Sequence, residues 1–347
     1  MNGFAVVRVL VLSTASFIIA ILWTPLLTHL LYKYRLGKQI RDEKSAPIFS
    51  KLHAKKAGTP SMGGILVWLT VAVVAILLWL AAKGWQGTFA AWNFLSRSQT
   101  LLPLGTLVAS ALVGLVDDYW NVKRIGPRGG GLRMRHRLLM YTAIAAVGAW
   151  WFFVKLGRDA IHVPFAGDLT LGWWYPVFFV FVIVATAFSV NETDGLDGLA
   201  GGTLLAAFAS YGAIAFLQGR YDLATFCGVI VGALLAFLWF NINPARFFMG
   251  DTGAMSLGVT LGIVAMFTSA EFFLPIIGLI FVIESGSVIV QIGSRILRKK
   301  KVFLSAPIHH HLEASGWSEP KIVMRFWVIA AVSSVVGLVL FLLDRTI

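Results

Sequence analysis

The chain has 347 residues, of which 58% are hydrophobic and 13% charged, and its mean hydropathy is +0.80. A soluble globular protein of this length needs more polar surface, and an outer-membrane barrel alternates in hydrophobicity instead of showing continuous apolar runs, so both classes are excluded. The formal net charge of +13 comes from Lys and Arg between apolar runs, where membrane orientation and anionic lipid explain it better than nucleic acid does.

The apolar runs predict an all-α polytopic membrane protein with about ten transmembrane helices in a single integral membrane domain, residues 1–347. A short alternating segment with a central Gly, residues 158–172, predicts a small hairpin outside the membrane. The lone Cys227 lies in an apolar run and is expected to be a packing residue. The predicted spans are residues 7–32, 63–82, 100–117, 137–155, 173–190, 198–217, 223–242, 252–270, 273–295 and 322–343.

Positive charge is distributed unequally between the two sets of loops. Most of the 29 Lys and Arg residues lie in or beside the loops after spans one, three, seven and nine. The positive-inside rule places these loops in the cytoplasm. An even number of spans then makes both termini periplasmic, together with the hairpin.

Two adjacent acids, Asp117 and Asp118, close the third predicted span. Neighbouring residues on an α-helix point about 100° apart. The two side chains are therefore expected to have different partners, one in a site and the other structural. The alternative is a helix end that carries solvated acids.

The stretch 191–198, Asn-Glu-Thr-Asp-Gly-Leu-Asp-Gly, lies between two apolar runs. Carboxylates in such a setting are costly and suggest function. If the segment is helical, Asp194 and Asp197 share one face and could hold a cation. Gly195 and Gly198 would let a phosphate or metal approach the backbone near the next helix start. The alternative is a helix N-terminus with two capping acids.

Two further polar motifs follow. Asp251 lies in a Gly-Asp-Thr-Gly turn that opens an apolar helix, where it could also be only a helix cap. The internal triplet His309, His310 and His311 could hydrogen-bond a phosphate or sugar, or bind a metal. Consecutive residues cannot all face one point, so one or two of these histidines are expected in a site.

All of these motifs fall in the loops predicted to be cytoplasmic, which predicts one convergent site at that membrane face. The aspartates offer hard oxygen ligands and no Cys cluster suggests zinc, so the expected metal is Mg²⁺. Acids for Mg²⁺, bases for a diphosphate and a membrane setting predict phosphoryl transfer between a soluble phosphorylated metabolite and a lipid. The candidate basic residues, which topology and lipid contact could also explain, are Lys56, Lys123, Arg124, Arg133, Arg135 and Arg137.

Five motifs together resemble one family, the phospho-N-acetylmuramoyl-pentapeptide-transferases. They are GTPSMGG (58–64), DDYWNVKR (117–124), NETDGLDGLAGG (191–202), NPARFFMGDTG (243–253) and APIHHHLEASGW (306–317). They occur in order, at family-like spacing, over most of the chain. The last motif is specific within the wider polyprenyl-phosphate sugar-phosphate transferase superfamily, whereas TDGLDGLA is shared more broadly.

The resemblance implies a ten-helix, usually homodimeric transferase of the bacterial plasma membrane, with its active site on the cytoplasmic face. The implied reaction belongs to peptidoglycan synthesis. It transfers phospho-MurNAc-pentapeptide from UDP-MurNAc-pentapeptide to undecaprenyl phosphate and gives lipid I and UMP, with Mg²⁺ as cofactor.

The resemblance also implies roles for individual residues. Asp251 would be the principal Mg²⁺ ligand, and Asp117 would lie at the lipid phosphate as ligand or base, with Asp118 beside it. The implied substrate contacts are Asn191, Asp194 and Asp197 in the nucleotide pocket, Lys56, Asn241 and Phe248 at the uridine, Arg137 at a phosphate, and His309, His310 and His311 at the diphosphate or sugar.

Four positions depart from the family pattern. The family usually has Asn where this chain has Phe188, and Leu at Glu192. It usually has Lys at Arg137 and Asn121. Arg137 keeps the charge without being an equivalent phosphate ligand. These changes affect the expected substrate contacts and leave the aspartates in place.

Three other interpretations remain open from the sequence. A UDP-N-acetylhexosamine:polyprenyl-phosphate sugar-1-phosphate transferase would use the same acids without needing the histidine loop. A cation-coupled transporter would explain the intramembrane Glu284 and the broken apolar runs, although the polar residues gather at one membrane face. A non-catalytic lipid-binding scaffold is compatible with the changes at Phe188 and Glu192.

Overall fold

The computed structural model describes residues 3–37, 56, 58–84, 89–126 and 130–346. Ten helices within these ranges are long and apolar enough to cross a membrane, which confirms the all-α polytopic class. They are α1 (Gly3–Lys33), α2 (Ile65–Gly84), α3 (Leu101–Val122), α4 (Met134–Trp150), α5 (Tyr175–Thr193), α6 (Leu199–Leu217), α7 (Tyr221–Asn241), α8 (Gly250–Phe267), α10 (Leu279–Leu297) and α12 (Glu319–Thr346).

Two short α-helices and a hairpin join these spans, together with single 3₁₀ turns and a π-helical turn at Trp151–Lys155. The ninth predicted span is broken: α9 (Leu274–Ile277) ends at Gly278, and α10 begins at the next residue. Helix α11 (Ile308–Ala314) carries the histidine triplet. Strands β1 (Ala160–Val163) and β2 (Gly167–Thr170) pair antiparallel, which confirms the predicted hairpin.

Helix α8 lies at the centre of the bundle. Every residue of α8 except Asp251 is buried. Glycines allow its neighbours to approach closely: a Cβ at Gly114 of α3 would collide with the backbone of Asp251, and a Cβ at Gly258 would lie 2.8 Å from the Cα of Ala187 in α5. These approaches bring the last turns of α3 and α5 to the first turn of α8, where the acidic motifs meet.

The bundle has two polar ends. We call the end that holds the hairpin the hairpin end, and the end that holds Asp117 and Asp251 the site end. Both described chain ends lie at the hairpin end, since Arg8 contacts Asp222 at 2.8 Å and Asp344 contacts His162 at 2.7 Å. This agrees with an even number of crossings. The orientation of the two ends in a membrane stays a prediction.

Candidate active site

Asp118 joins the end of α3 to the start of α8. Its Oδ2 accepts a hydrogen bond from the backbone N–H of Thr252 at 2.9 Å, and its Oδ1 accepts one from the hydroxyl of Ser61 at 3.2 Å. Asp118 is buried, with 3% of its surface exposed. A carboxylate at the first turn of a helix is favoured by the unpaired N–H groups there. Asp118 therefore holds α8 in place from within the site.

Asp117 points away from Asp118, toward Arg137 of α4. Its Oδ2 lies 2.7 Å from the Nε of Arg137, and its Oδ1 accepts from the backbone N–H of Leu132 at 2.5 Å. Asp117 is fully buried. The two adjacent acids thus have separate partners, as their angular offset predicts. The alternative of solvated acids at a helix end is wrong, because α3 continues to Val122 and both side chains are buried.

Arg137 bridges Asp117 and Asp251. Its Nη2 lies 2.9 Å from Oδ2 of Asp251, and its Nη1 donates to Oδ1 of Asn191 at 3.2 Å. The amide nitrogen of Asn191 in turn donates to Oδ1 of Asp251 at 2.7 Å. One guanidinium and one amide therefore connect α3, α4, α5 and α8. Asp251 is more than a helix cap, because both of its oxygens engage side chains of other helices.

The charges in this cluster leave a negative excess. Among the described residues, Asp117 and Asp251 share the guanidinium of Arg137, and the buried Asp118 follows Asp117 in α3. Three ionised acids beside one such cation would attract a further cation. In the part of the chain that the structure describes, no three His, Cys, Asp or Glu side chains converge closely enough to hold a metal by themselves. Mg²⁺ is commonly held by one or two carboxylates plus substrate phosphates. Asp251 and Asp117 fit that arrangement, because both reach the same guanidinium.

The turn between α5 and α6 separates Asp194 from Asp197. Oδ2 of Asp194 accepts from the backbone N–H of Gly250 at 3.1 Å, whereas Asp197 faces Lys56. The conditional prediction of a shared helical face is wrong, because α5 ends at Thr193 and α6 begins at Leu199. Gly198, at φ 83°, sets the left-handed turn before α6, and no side chain caps that helix.

Lys56 lies in a second group of side chains, the Lys56 cluster, beside the group formed by Asp117, Asp251 and Arg137. Its Nζ is 2.7 Å from Oδ1 of Asp197, contacts Glu319 of α12 and lies 5.8 Å from the centre of the Phe248 ring. Oε1 of Glu319 also accepts from the backbone N–H of Asp197 at 2.7 Å. Asn243 donates to both carboxylates, at 3.0 and 3.2 Å. The predicted uridine contacts Lys56 and Phe248 are thus neighbours.

Glu319 and Asn243 are site residues that sequence analysis does not assign. The only signal for Glu319 is its position: it is an acid that opens the last apolar span in the loop group predicted to be cytoplasmic. Asn243 lies inside one of the motifs without a role of its own. Their partners are far away in the chain, since Lys56 and Glu319 are separated by 263 positions.

Asn241 is buried and supports the backbone of the site. Its Oδ1 accepts from the N–H of Gly198 at 2.9 Å, and its Nδ2 donates to the carbonyl oxygen of Phe247 at 2.8 Å. Both ends of the amide therefore hold the turn before α6 against the segment before α8. A uridine contact by this side chain stays a prediction.

The three histidines have three different surroundings. His309 is buried, with its Nδ1 2.8 Å from Oε2 of Glu284 in α10. His310 Nδ1 lies 2.7 Å from Oε2 of Glu313 in its own helix, and His311 Nδ1 accepts from the backbone N–H of Leu304 at 3.2 Å. His309 packs against Gly195 and so contacts the turn between α5 and α6. Their contact with a diphosphate or sugar stays a prediction.

The remaining basic candidates lie outside these clusters. Lys123, Arg124, Arg133 and Arg135 have exposed side chains. Exposure at a helix end is what orientation and lipid contact predict for such residues. Among the basic candidates, Lys56 and Arg137 contact the acids of these clusters. The departing residues Phe188, Glu192 and Asn121 are half-buried.

The fold is that of a polytopic membrane protein, and comparison with known proteins shows that it is a transferase. In agreement, the family model described as glycosyl transferase family 4 matches residues 100–269. The model described as phospho-N-acetylmuramoyl-pentapeptide-transferase signature 1 matches residues 56–66.

Curated relatives identify the family of transferases to which the chain belongs. The phospho-N-acetylmuramoyl-pentapeptide-transferase of Chloroflexus aggregans is 36% identical over 97% of this chain and 90% of its own length. That of Geobacillus thermodenitrificans is 38% identical over 95% and 97%, and that of Listeria welshimeri is 38% identical over 93% and 94%. The chain belongs to the phospho-N-acetylmuramoyl-pentapeptide-transferase family and is an enzyme. The resemblance of the five motifs is confirmed.

Proposed function

We propose that this enzyme transfers phospho-MurNAc-pentapeptide from UDP-MurNAc-pentapeptide to undecaprenyl phosphate, giving lipid I and UMP, as a step of peptidoglycan synthesis. The observation that carries this proposal is the shared contact of Asp117 and Asp251 with Arg137. Two acids from different helices and one guanidinium are the groups that phosphoryl transfer needs for positioning and charge neutralisation. The family and the ten spans support a lipid acceptor.

Asp251 and Asp117 are the residues proposed to hold Mg²⁺. When bound, the ion would supply charge neutralisation for the diphosphate and the departing UMP. Asp118 contributes differently, because its oxygens hold the Thr252 N–H and Ser61. It fixes the first turn of α8 and so the position of Asp251.

Arg137 is proposed to bind phosphate oxygens. Its guanidinium already donates to the amide oxygen of Asn191 and lies against two carboxylates. Planar guanidinium groups suit phosphates because they present several N–H donors in one plane. Such a group also stabilises the negative charge that develops on the transferred phosphoryl group.

In the proposed step, an oxygen of the lipid phosphate attacks the sugar-side phosphorus. A new P–O bond forms there as the bond to the bridging oxygen breaks, and UMP leaves with the electron pair of that bond. Phosphate monoesters titrate near pH ~6, so the attacking oxygen is largely ionised at neutral pH and needs no strong base. This favours direct attack over a covalent aspartyl intermediate, which phosphorylated Asp117 or Asp118 would instead reveal.

The Lys56 cluster is proposed to receive the nucleotide. Phe248 offers an aromatic face on which a uracil ring can stack. Lys56 lies between that ring and Asp197. The positive-inside pattern of the loops supports a cytoplasmic position for this site, where a soluble UDP-sugar is available. A homodimer in the bacterial plasma membrane is proposed on the family resemblance.

The direct test uses the purified chain with UDP-MurNAc-pentapeptide, undecaprenyl phosphate and Mg²⁺. We expect UMP release and a lipid-linked sugar product, both abolished by EDTA and restored by added Mg²⁺. A parallel reaction with UDP-N-acetylglucosamine separates the two sugar classes. UMP release with the hexosamine nucleotide alone contradicts the proposed donor, and no release with either contradicts the reaction.

A further inference from the structure

A carboxylate is buried in α10 and faces one histidine of α11. Glu284 is 0% exposed and His309 is 1% exposed. Oε2 of Glu284 lies 2.8 Å from Nδ1 of His309. Within the described residues, the other oxygen of Glu284 and the Nε2 of His309 have no hydrogen-bond partner. Buried polar atoms without partners are rare and call for an explanation.

The surroundings restrict where the protons of this pair lie. A buried pair is stable only when its charges compensate, because an uncompensated charge away from water is strongly unfavourable. Glu284 forms no ion pair with Lys or Arg in the described ranges, so His309 is its compensating group. Net neutrality allows a carboxylate with an imidazolium, or a carboxylic acid beside a neutral imidazole. In the second case the acid proton lies on Oε2 and is donated to Nδ1, because a proton on Oε1 would have no acceptor among the described residues. Both arrangements leave a proton on Nε2 of His309.

That proton faces the turn between α5 and α6. The Nε2 of His309 is in contact with Gly195, where a Cβ would collide with it. The same turn carries Asp194, which holds the first turn of α8, and Asp197, which holds Lys56. An unpaired N–H donor thus lies against the backbone that connects the two clusters of the site.

We infer that Glu284 is a positioning residue that keeps His309 protonated at Nε2 and directs this N–H toward a substrate oxygen at the turn 194–198. The acceptor is an oxygen of the diphosphate or the sugar, so the inference rests on the proposed function. Glu284 acts only through His309. Gly195 is required because any side chain there would occupy the position of the imidazole.

The proton on Nε2 is measured directly by ¹⁵N NMR of protein labelled at histidine. The chain has 7 histidines, and the signals missing from His309→Gln assign the ring. We expect a protonated Nε2 and a hydrogen-bonded Nδ1 in the wild type at pH 7. Glu284→Gln keeps a hydrogen bond to Nδ1 of His309 but removes the charge. The ¹⁵N signals of His309 should therefore change less than in Glu284→Leu. Glu284→Leu should remove the Nδ1 hydrogen bond and leave a mixture of tautomers.

Steady-state UMP release provides the second measurement. Loss of a carboxylate that orients a metal-bound histidine commonly reduces activity about 10- to 100-fold, and a histidine that donates to a substrate oxygen depends on its orientation in the same way. We expect a loss of this size in kcat for Glu284→Leu, a smaller loss for Glu284→Gln and little change in KM for the UDP-sugar. The effect falls on kcat because the donor matters most where negative charge develops.

The matched control is Glu271→Gln. Glu271 is also a buried acid, but it lies at the opposite end of the bundle, the hairpin end. This variant should leave both the His309 signals and kcat unchanged. Identical His309 signals in wild type and Glu284→Leu overturn the inference, and so does a Glu284→Leu protein with altered signals but full kcat. If the wild type releases no UMP, the proposed function fails along with the substrate contact. The nitrogen signals still decide whether Glu284 controls the ring.

Discussion

The two ends of the molecule use charge in opposite ways. At the hairpin end, Arg8 pairs with Asp222, and His162 lies between Asp168 and Asp344 at 2.6 and 2.7 Å. Arg8 satisfies Asp222, and His162 satisfies both Asp168 and Asp344. At the site end, three acids gather around one guanidinium. Pairing satisfies the acids at the first end, whereas at the second, in the part of the chain that the structure describes, Asp117 and Asp251 share one guanidinium.

The difference separates acids that serve the structure from acids that the proposed reaction would use. Like charges that converge in a buried place are unfavourable for folding unless a partner compensates them. A protein keeps such a place where a cation and a phosphorylated substrate complete it. Substitutions of single acids at the two ends should therefore have effects of different kinds and sizes.

The largest effect is expected from Asp251→Asn. It keeps the shape of the side chain and removes the charge that the proposed Mg²⁺ site needs. UMP release should fall about 10²- to 10³-fold, as for the loss of one key electrostatic group in other active sites. The matched change Asp222→Asn at the hairpin end should leave UMP release near the wild-type rate. Equal losses in both variants would remove the distinction between the two ends.

The second-largest effect on UMP release is expected from substitution of Arg137. Arg137→Ala leaves Asp117 and Asp251 without their shared cation, and UMP release should fall about 10²-fold. Arg137→Lys restores a point charge without the planar fork of donors that contacts Asp117, Asn191 and Asp251. We expect it to retain more activity than alanine and less than the wild type. Full activity in Arg137→Ala would show that the guanidinium is dispensable for the reaction.

The sequence predicts the acids of the site better than their partners. Asp117, Asp118 and Asp251 stand out because carboxylates are rare in apolar runs, and the loop charges place them on one side. The pairs Lys56–Glu319 and Glu284–His309 join residues far apart in the chain. The packing of the helices determines which of these distant residues meet, and a local sequence pattern does not encode that packing. The helical pairing of Asp194 with Asp197 fails because Gly195 and Gly198 allow a turn there.

Most of the fold follows from hydropathy alone, since ten apolar runs correspond to ten helices. The break at Gly278 is the exception, because a run of apolar residues does not reveal where the chain bends. The close approach of α3 to α8 at Gly114 also escapes prediction. A glycine inside an apolar run is compatible with many packing arrangements, and the neighbouring helix determines its role.

A smaller effect is expected from Glu319→Gln. This change removes the charge of a group that contacts Lys56 and the backbone N–H of Asp197. Glu319 contacts the proposed nucleotide site and neither of the acids proposed to hold Mg²⁺. Its loss should therefore weaken binding of the ground state and the transition state equally. We expect KM for the UDP-sugar to rise about five- to tenfold with kcat nearly unchanged. A fall in kcat at constant KM would instead place Glu319 in the chemical step.

The smallest effect concerns stability at the hairpin end and leaves catalysis unchanged. Burial raises the pKa of Glu271 from 4.5 to about 7, although Arg158 and His162 partly oppose the shift. An acid with a raised pKa in the folded state takes up its proton more readily than in the unfolded state. Its contribution to stability is therefore complete below pH 4.5 and is lost as the pH rises through about 7.

Glu271→Gln should remove this dependence, because the amide does not titrate. Thermal unfolding of wild type and variant in the same detergent, followed from pH 5 to pH 8, measures it. We expect the wild-type Tm to fall relative to the variant as the pH rises, while UMP release at pH 7 stays equal. Parallel Tm curves would mean that Glu271 is ionised in the folded protein, which requires a compensating cation at the hairpin end. In that case Glu271 would be a further compensated acid at the hairpin end, like Asp222, and the contrast between the ends would lie only in how many acids share one cation.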